Sequence, residues 1–336
     1  MSDSRCIIDT KSKSHISLKV VLESLLAFSL LLFSSCAHYR CDPTYVGPKM
    51  RSTELLKYYS YPKKTIETEI KTINEKKMYV VKRIEFPSAL NVFGTANIKI
   101  DYYIQRKHGK FPTILILPIS GGIDFSVRSF ASHFASSGFN CAIVHNRKAD
   151  LEDAKSGEDV EDYFRQTVLD NRQVLDYLVT REEVDEDRLG CLGLSLGGIK
   201  ASLITGVDER VKCVVLVLAG GSIADIFLLS KAEGIKDYSK DFVEDGVTLE
   251  TIHTELSEKV ETDPIKLAGY MDARNVLLYL ALFDRVIPRK CGYKLWEAIG
   301  KPELVCFFAG HYSSYLYLPY VEMETLSFFK KKFGLK

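Results

Sequence analysis

Apolar and polar positions change their period along the chain, and the changes divide it. Two early stretches alternate, Met78-Tyr-Val-Val-Lys-Arg-Ile-Glu-Phe86 and Ile98-Lys-Ile-Asp-Tyr-Tyr-Ile104. Alternation suits strands covered on one face, as in antiparallel sheet. From Thr113 onward the alternation gives way to short runs that are apolar almost throughout, over 113–117, 139–144, 189–194, 212–218, 275–282 and 304–308. Runs of that kind suit strands covered on both faces. Helical spacing lies between them, over 126–137, where Gly138 stops it, and over 159–180, with Val160, Phe164, Val168, Leu175 and Leu178 on one side. Further helices are expected from Ser195 to about Gly206, around 293–299, and over 315–333. Strand and helix in alternation predict an α/β chain with a mostly parallel, doubly covered sheet, preceded by antiparallel strands. Residues 222–268 break the rhythm with mixed helical character and no strand, which predicts a helical insertion between two strands. There is no internal repeat and no low-complexity tract.

At 336 residues, 46% hydrophobic and 26% charged, the chain can enclose one large core. Its formal charge is +1 and no basic block is interleaved with aromatics, so nucleic acid is not an expected partner. The first 35 residues stand outside the domain pattern. Lys11, Lys13 and Lys19 precede an apolar run over 20–33 that Glu23 interrupts, and Ser34, Ser35 and Cys36 follow. A bilayer span needs about 20 apolar residues, so 1–35 reads as a secretory signal. Leu32-Phe-Ser-Ser-Cys36 resembles a bacterial lipoprotein cleavage site, with Phe33 where leucine is commoner. That resemblance implies a lipid on Cys36 and a protein anchored in the bacterial cell envelope, facing away from the cytoplasm. An uncleaved anchor and ordinary secretion are the alternatives. Residues 1–35 hold four basic and three acidic side chains, which leaves 41 of each in the remainder. Attachment would then rest on the lipid and not on a basic surface.

Residues 36–74, with Pro43, Gly47, Pro48 and Pro62, read as a tether and approach segment, and 75–333 as the domain. The eight cysteines show no metal-binding spacing, and nothing implies a cofactor. Cys141, Cys191, Cys213 and Cys306 fall in apolar runs and are expected as small buried hydrophobes.

The chemistry centres on Gly193-Leu-Ser195-Leu-Gly197, a Gly-x-Ser-x-Gly between a buried strand and a helix. A turn that tight leaves no room for side chains at the flanking positions, and it lifts the hydroxyl clear of the sheet. It also leaves the N–H of Leu196 at a helix N-terminus, where an oxyanion can be met. Serine is a poor nucleophile without a base, and the base needs an orienting group. In an open parallel sheet both belong just past strand C-termini. Asp284 follows the run 275–282 and His311 follows the run 304–308, giving the chain order Ser, Asp, His. If Asp284 is only a turn residue, Asp263 or Asp272 becomes the acid. His145 and Arg147 follow another strand and are expected to fix its loop, the alternative being that they line the pocket; Arg172 is expected in a structural ion pair. The tyrosines at 312, 315, 317 and 320 read as a packed helix start.

Over roughly 75–333 the chain resembles α/β-hydrolases of the dienelactone hydrolase and acetyl esterase type, on Ser195, on Asp284 in "FDRVIP" and on His311 in "GHYSS". The resemblance implies a catalytic triad of Ser195, Asp284 and His311 cleaving small-molecule carboxylic esters through an acyl-enzyme. It also makes the 222–268 insertion a cap, and it places a first oxyanion donor in the loop after the first parallel strand. Here that loop is Pro118-Ile-Ser-Gly-Gly122, with Pro118 where the family carries histidine, so the donor is the N–H of Ile119 or Ser120. Pro118 has no N–H to give. A peptidase or other amide hydrolase with the same triad, and a non-catalytic binding lipoprotein on this fold, are the competing readings. Oligomeric state is not legible.

Overall fold

The computed structural model describes residues 36–63, 67–148, 151–233, 235–236 and 248–336. The expected signal segment 1–35 and part of the cap lie outside the described residues. In chain order the strands are β1 Ala37–Tyr39, β2 Glu69–Glu75, β3 Tyr79–Pro87, β4 Asn97–Gln105, β5 Phe111–Leu117, β6 Asn140–Val144, β7 Val184–Leu194, β8 Val211–Val217, β9 Val276–Ala281 and β10 Glu303–Phe307. The helices are α1 Thr53–Tyr58, α2 Phe125–Ser136, α3 Gly157–Val179, α4 Leu196–Val207, α5 Ile223–Leu229, α6 Leu249–Lys259, α7 Pro264–Ala268, α8 Arg289–Ile299 and α9 Leu318–Lys332.

The strands form one sheet in the order β1-β10-β9-β8-β7-β5-β6-β4-β3-β2. From β6 to β10 the neighbours are parallel; β4, β3 and β2 continue antiparallel on one side, and β1 adds antiparallel on the other. The apolar runs are the parallel strands, and they are buried almost residue for residue. Helices α2 and α9 pack together on one face, while α3, α4, α7 and α8 follow one another on the other. In the expected cap, α5 and α6 pack on each other and α6 on α3, and its described residues contain no strand. Cys141, Cys191, Cys213, Cys291 and Cys306 are buried free thiols.

The approach segment differs from the expectation. Within the segment read as tether and approach, the described residues from Ala37 onward group with the domain in one compact unit. β1 extends the sheet at β10, and Arg51 donates to the carbonyls of Gly206, Thr205 and Tyr270 at 2.8, 2.9 and 3.2 Å. A cation at the C-terminal carbonyls of a helix satisfies groups that the helix itself leaves unpaired. Tyr59 is buried, with its hydroxyl 2.9 Å from that of Thr262.

At the antiparallel side, buried Asp101 on β4 accepts from Arg83 Nε and Nη2 at 2.8 and 3.0 Å, and His145 Nε2 lies 3.1 Å away. Burial pushes this carboxyl up, but the hydrogen bonds from His145 and Arg83 outweigh burial and hold it at about 2. A folded-state pKa below the unfolded value of about 4 stabilises the protein above that value, and the gain is lost as pH falls toward the folded one. Urea midpoints are therefore expected to drop between about pH 4 and about pH 2. The drop should be shallower in Asp101→Asn; an equally steep one would remove Asp101 as its source.

Candidate active site

β7 ends in Leu194 and α4 begins at Leu196, and the turn between them is Ser195 at φ 54°, ψ −118°. A non-glycine residue there is strained, by of order 1–3 kcal/mol. The surroundings hold it in place: Ser195 N–H donates to Val217 O at 2.8 Å, and its carbonyl receives the N–H groups of Gly198 and Ile199. A Cβ at Gly193 would fall 2.0 Å from Gly197 O, and one at Gly197 would fall 2.0 Å from Leu117 O. Only glycine lets the strand, the turn and β5 approach so closely. The Ser195 hydroxyl does not cap α4. It points instead to His311, with Oγ 2.9 Å from Nε2.

His311 rides on the loop after β10, which is tied to the loop after β9 by Phe283 N–H donating to Ala309 O at 2.9 Å. Its Nδ1 lies 2.7 Å from Asp284 Oδ2. The other carboxylate oxygen of Asp284 accepts from the N–H groups of Val286 and Ile287 at 2.8 and 2.9 Å. The carboxylate is thus buried and fully engaged, and its orientation is fixed from behind. The two other candidate acids are elsewhere. Asp263 caps α7 through Ile265 N–H and also accepts from Ile223 N–H; Asp272 pairs with Arg274.

Leu196 is the first residue of α4, so its N–H has no carbonyl within the helix to reach. Ile119 and Gly122 face each other in an isolated antiparallel bridge, Gly122 N–H donating to Ile119 O at 2.9 Å. Ser120 stands at the tip of that turn, and it lines both cavities that reach Ser195. Sequence reasoning missed Asn146, just beyond β6. Its amide nitrogen donates to the carbonyls of Ile119 and Ser120 at 2.8 and 3.1 Å, and its oxygen accepts from Lys200 Nζ at 3.1 Å. A single side chain therefore ties the 118–122 loop to α4, the helix that follows Ser195. Only its place after an apolar strand could have drawn attention to it.

Arg147 fixes its loop, donating to Asp170 Oδ2, Asn91 Oδ1 and Gly94 O, and Arg172 pairs with Asp208 at 3.1 Å. The four tyrosines divide. Tyr317 is buried, stacked on Phe307 at 4.6 Å, and Tyr320 reaches His38. Tyr312 and Tyr315 line the smaller cavity, and Tyr315 donates to Asp124 Oδ2 at 2.7 Å, which joins the His311 loop to the N-terminus of α2.

Two cavities meet at Ser195. The smaller, about 120 Å³, touches His311, Leu218, Phe307 and Tyr315. The larger, about 590 Å³, is walled by Phe164, Ile199, Ile223, Ile226, Phe227 and Ile287, with Lys231 and Glu233 also lining it. Among the described residues no group of three or more His, Cys, Asp or Glu could hold a metal ion.

A model of the Prolyl oligopeptidase family matches residues 125–302, more than half of the chain. An uncharacterized protein of Mycobacterium tuberculosis is 34% identical over 161 residues, 46% of this chain; the match spans only 36% of that relative's length. Among solved structures, an acetyl xylan esterase from Paenibacillus sp. R4 aligns with a TM-score of 0.64 at 19% identity, over 84% of this chain and 99% of its own. Acetyl xylan esterase 1 from Thermoanaerobacterium sp. aligns with a TM-score of 0.61 at 20% identity, over 86% and 99%. At such identities the likeness establishes the fold, which is that of the α/β-hydrolases.

Proposed function

The chain belongs to the Prolyl oligopeptidase family, and from that premise we propose that it is a serine hydrolase cleaving carboxylic esters through an acyl-enzyme on Ser195. The observation that carries this reading is the run of two short contacts, 2.9 Å from hydroxyl to imidazole and 2.7 Å from imidazole to carboxylate. In this account His311 Nε2 takes the Ser195 proton as Oγ bonds to the substrate carbonyl carbon. The oxyanion is held by the N–H groups of Leu196 and Ser120. Asp284 keeps the Nδ1 proton in place and stabilises the imidazolium. The imidazolium then gives its proton to the leaving alcohol as the ester bond breaks. A water that loses its proton to His311 releases the acid and restores Ser195.

Of the two donors weighed in the 118–122 loop, Ser120 is preferred because it stands at the tip of the Ile119–Gly122 turn and lines both cavities that reach Ser195, whereas Ile119 lines only the smaller. Asn146 is then a positioning residue for that donor. Asn146→Ala is expected to lower kcat by on the order of tenfold to a hundredfold, less than outright loss of an oxyanion donor. KM should change little and the pH profile should keep its shape. An unchanged kcat would show that the loop holds its shape without the amide.

The larger cavity favours esters over peptides, because an alkyl chain gains from its isoleucine and phenylalanine walls while a peptide backbone would leave polar groups unpaired there. Amide cleavage is the second reading, and the family match supports it. A panel of acetyl, butyryl, octanoyl and feruloyl esters beside the matching anilides separates the two. Ester turnover rising with acyl length is expected; faster cleavage of the anilides would favour the amide reading. For the N-terminus we propose a lipid on Cys36, holding the domain at a membrane outside the cytoplasm. Cys36→Ala should abolish incorporation of labelled palmitate.

A further inference from the structure

Several large apolar side chains stand exposed around the mouth of the site. Phe283 follows β9 and Phe308 follows β10; their rings meet edge to face at 4.8 Å, yet they stay 54% and 64% exposed. Tyr312, next to His311, is 72% exposed, and Leu316 is exposed one turn further on. The Tyr315–Asp124 hydrogen bond brings exposed Phe125, the first residue of α2, to the same rim. All follow the C-terminal ends of parallel strands, so they share one edge of the molecule. Apolar side chains gathered at one edge, and not scattered, mark an interaction surface. Exposed Arg285, Arg289 and Lys290 border them, on the segment that leaves Phe283.

β1 adds an independent observation. It runs antiparallel to β10 with Ala37 opposite Cys306, so its first residue lies at the C-terminal end of β10, two positions before Phe308. One peptide bond separates Ala37 from Cys36. A lipid on Cys36 would leave the chain at this same edge.

We propose that this rim rests against a bilayer. Its aromatic side chains seat among the headgroups and upper acyl chains, its cations face anionic lipid phosphates, and the mouth of the Ser195 site lies at the membrane surface. A second copy of the chain is the poorer occupant, because a two-fold contact through this patch would bring the three cations of both copies together. The proposal goes beyond the esterase reading, and it takes from the anchor reading only the point at which the lipid joins the fold.

The test uses residues 37–336, which hold the whole sheet, core and site, and carry no lipid. They are sedimented with phosphatidylcholine vesicles with and without about 30 mol% phosphatidylglycerol, a composition that gives a negative surface. Binding to the anionic vesicles is expected, and Phe125→Ser/Phe308→Ser should weaken it on the order of tenfold. Ile70→Ser/Ile73→Ser, on exposed edge strand β2, should bind as the parent does. Hydrolysis of water-soluble p-nitrophenyl acetate by the phenylalanine double variant should be unchanged, so a failed esterase reading and a failed rim are told apart. The proposal is overturned if the parent does not sediment with vesicles, if the double variant binds as tightly, or if the parent is a dimer that the double variant dissociates. Absent palmitate on Cys36 with vesicle binding intact would overturn the anchor and support the rim on its own.

Discussion

Ser195→Ala is expected to lower ester turnover by about a millionfold, the scale on which a triad nucleophile acts. The fold should not notice. The hydroxyl does not cap α4, and its one hydrogen bond is to His311, so losing it leaves no buried group in the sheet without a partner. Alanine and serine also meet the same strain at φ 54°, since both carry a Cβ. Circular dichroism and the urea midpoint should therefore overlay those of the parent while p-nitrophenyl butyrate turnover falls to the buffer rate. Turnover within tenfold of the parent would mean that another group attacks the carbonyl.

Asp284→Asn should cost about 10⁴-fold in kcat, and the structure says how. Oδ1 of Asp284 is pinned by two donors, the N–H groups of Val286 and Ile287. An asparagine would keep its oxygen on those donors and turn its NH₂ toward His311 Nδ1. That nitrogen would then have to accept, and the imidazole proton would move to Nε2, the atom that must receive the serine proton. Substrate binding should survive, so the loss falls in kcat more than in KM. Asp263→Asn and Asp272→Asn should show no such loss, because those carboxylates cap α7 and pair with Arg274. A tenfold effect or less at Asp284, or a larger one at Asp263, would reassign the orienting group.

Much of the architecture was legible because parallel strands buried on both faces leave an unmistakable trace. Cys213-Val-Val-Leu-Val217 and Val276-Leu-Leu-Tyr-Leu-Ala281 have no charged side chain to confuse them. β1 and β2 were not legible, for the opposite reason. Three residues carry no period, and Glu69-Ile-Lys-Thr-Ile-Asn-Glu75 is exposed on both faces at a sheet edge, so its pattern is set by solvent and not by a core. The hydroxyl, imidazole and carboxylate could be picked out because each follows a strand end, and a parallel sheet brings strand ends together wherever they fall in the sequence. The 118–122 loop, proposed to supply an oxyanion donor, could not be read this way. Whether Ile119 or Ser120 presents its N–H depends on a turn of four residues and on Asn146 reaching across from another strand, and no local pattern encodes that contact.

The most direct test of the central claim is to treat the protein with a fluorophosphonate and map the adduct by mass spectrometry. The account predicts one phosphonylated residue, Ser195, with labelling lost in His311→Ala, since only a hydroxyl with a base at hydrogen-bonding distance reacts at a useful rate. An unmodified parent, or an adduct on any other residue, would contradict it.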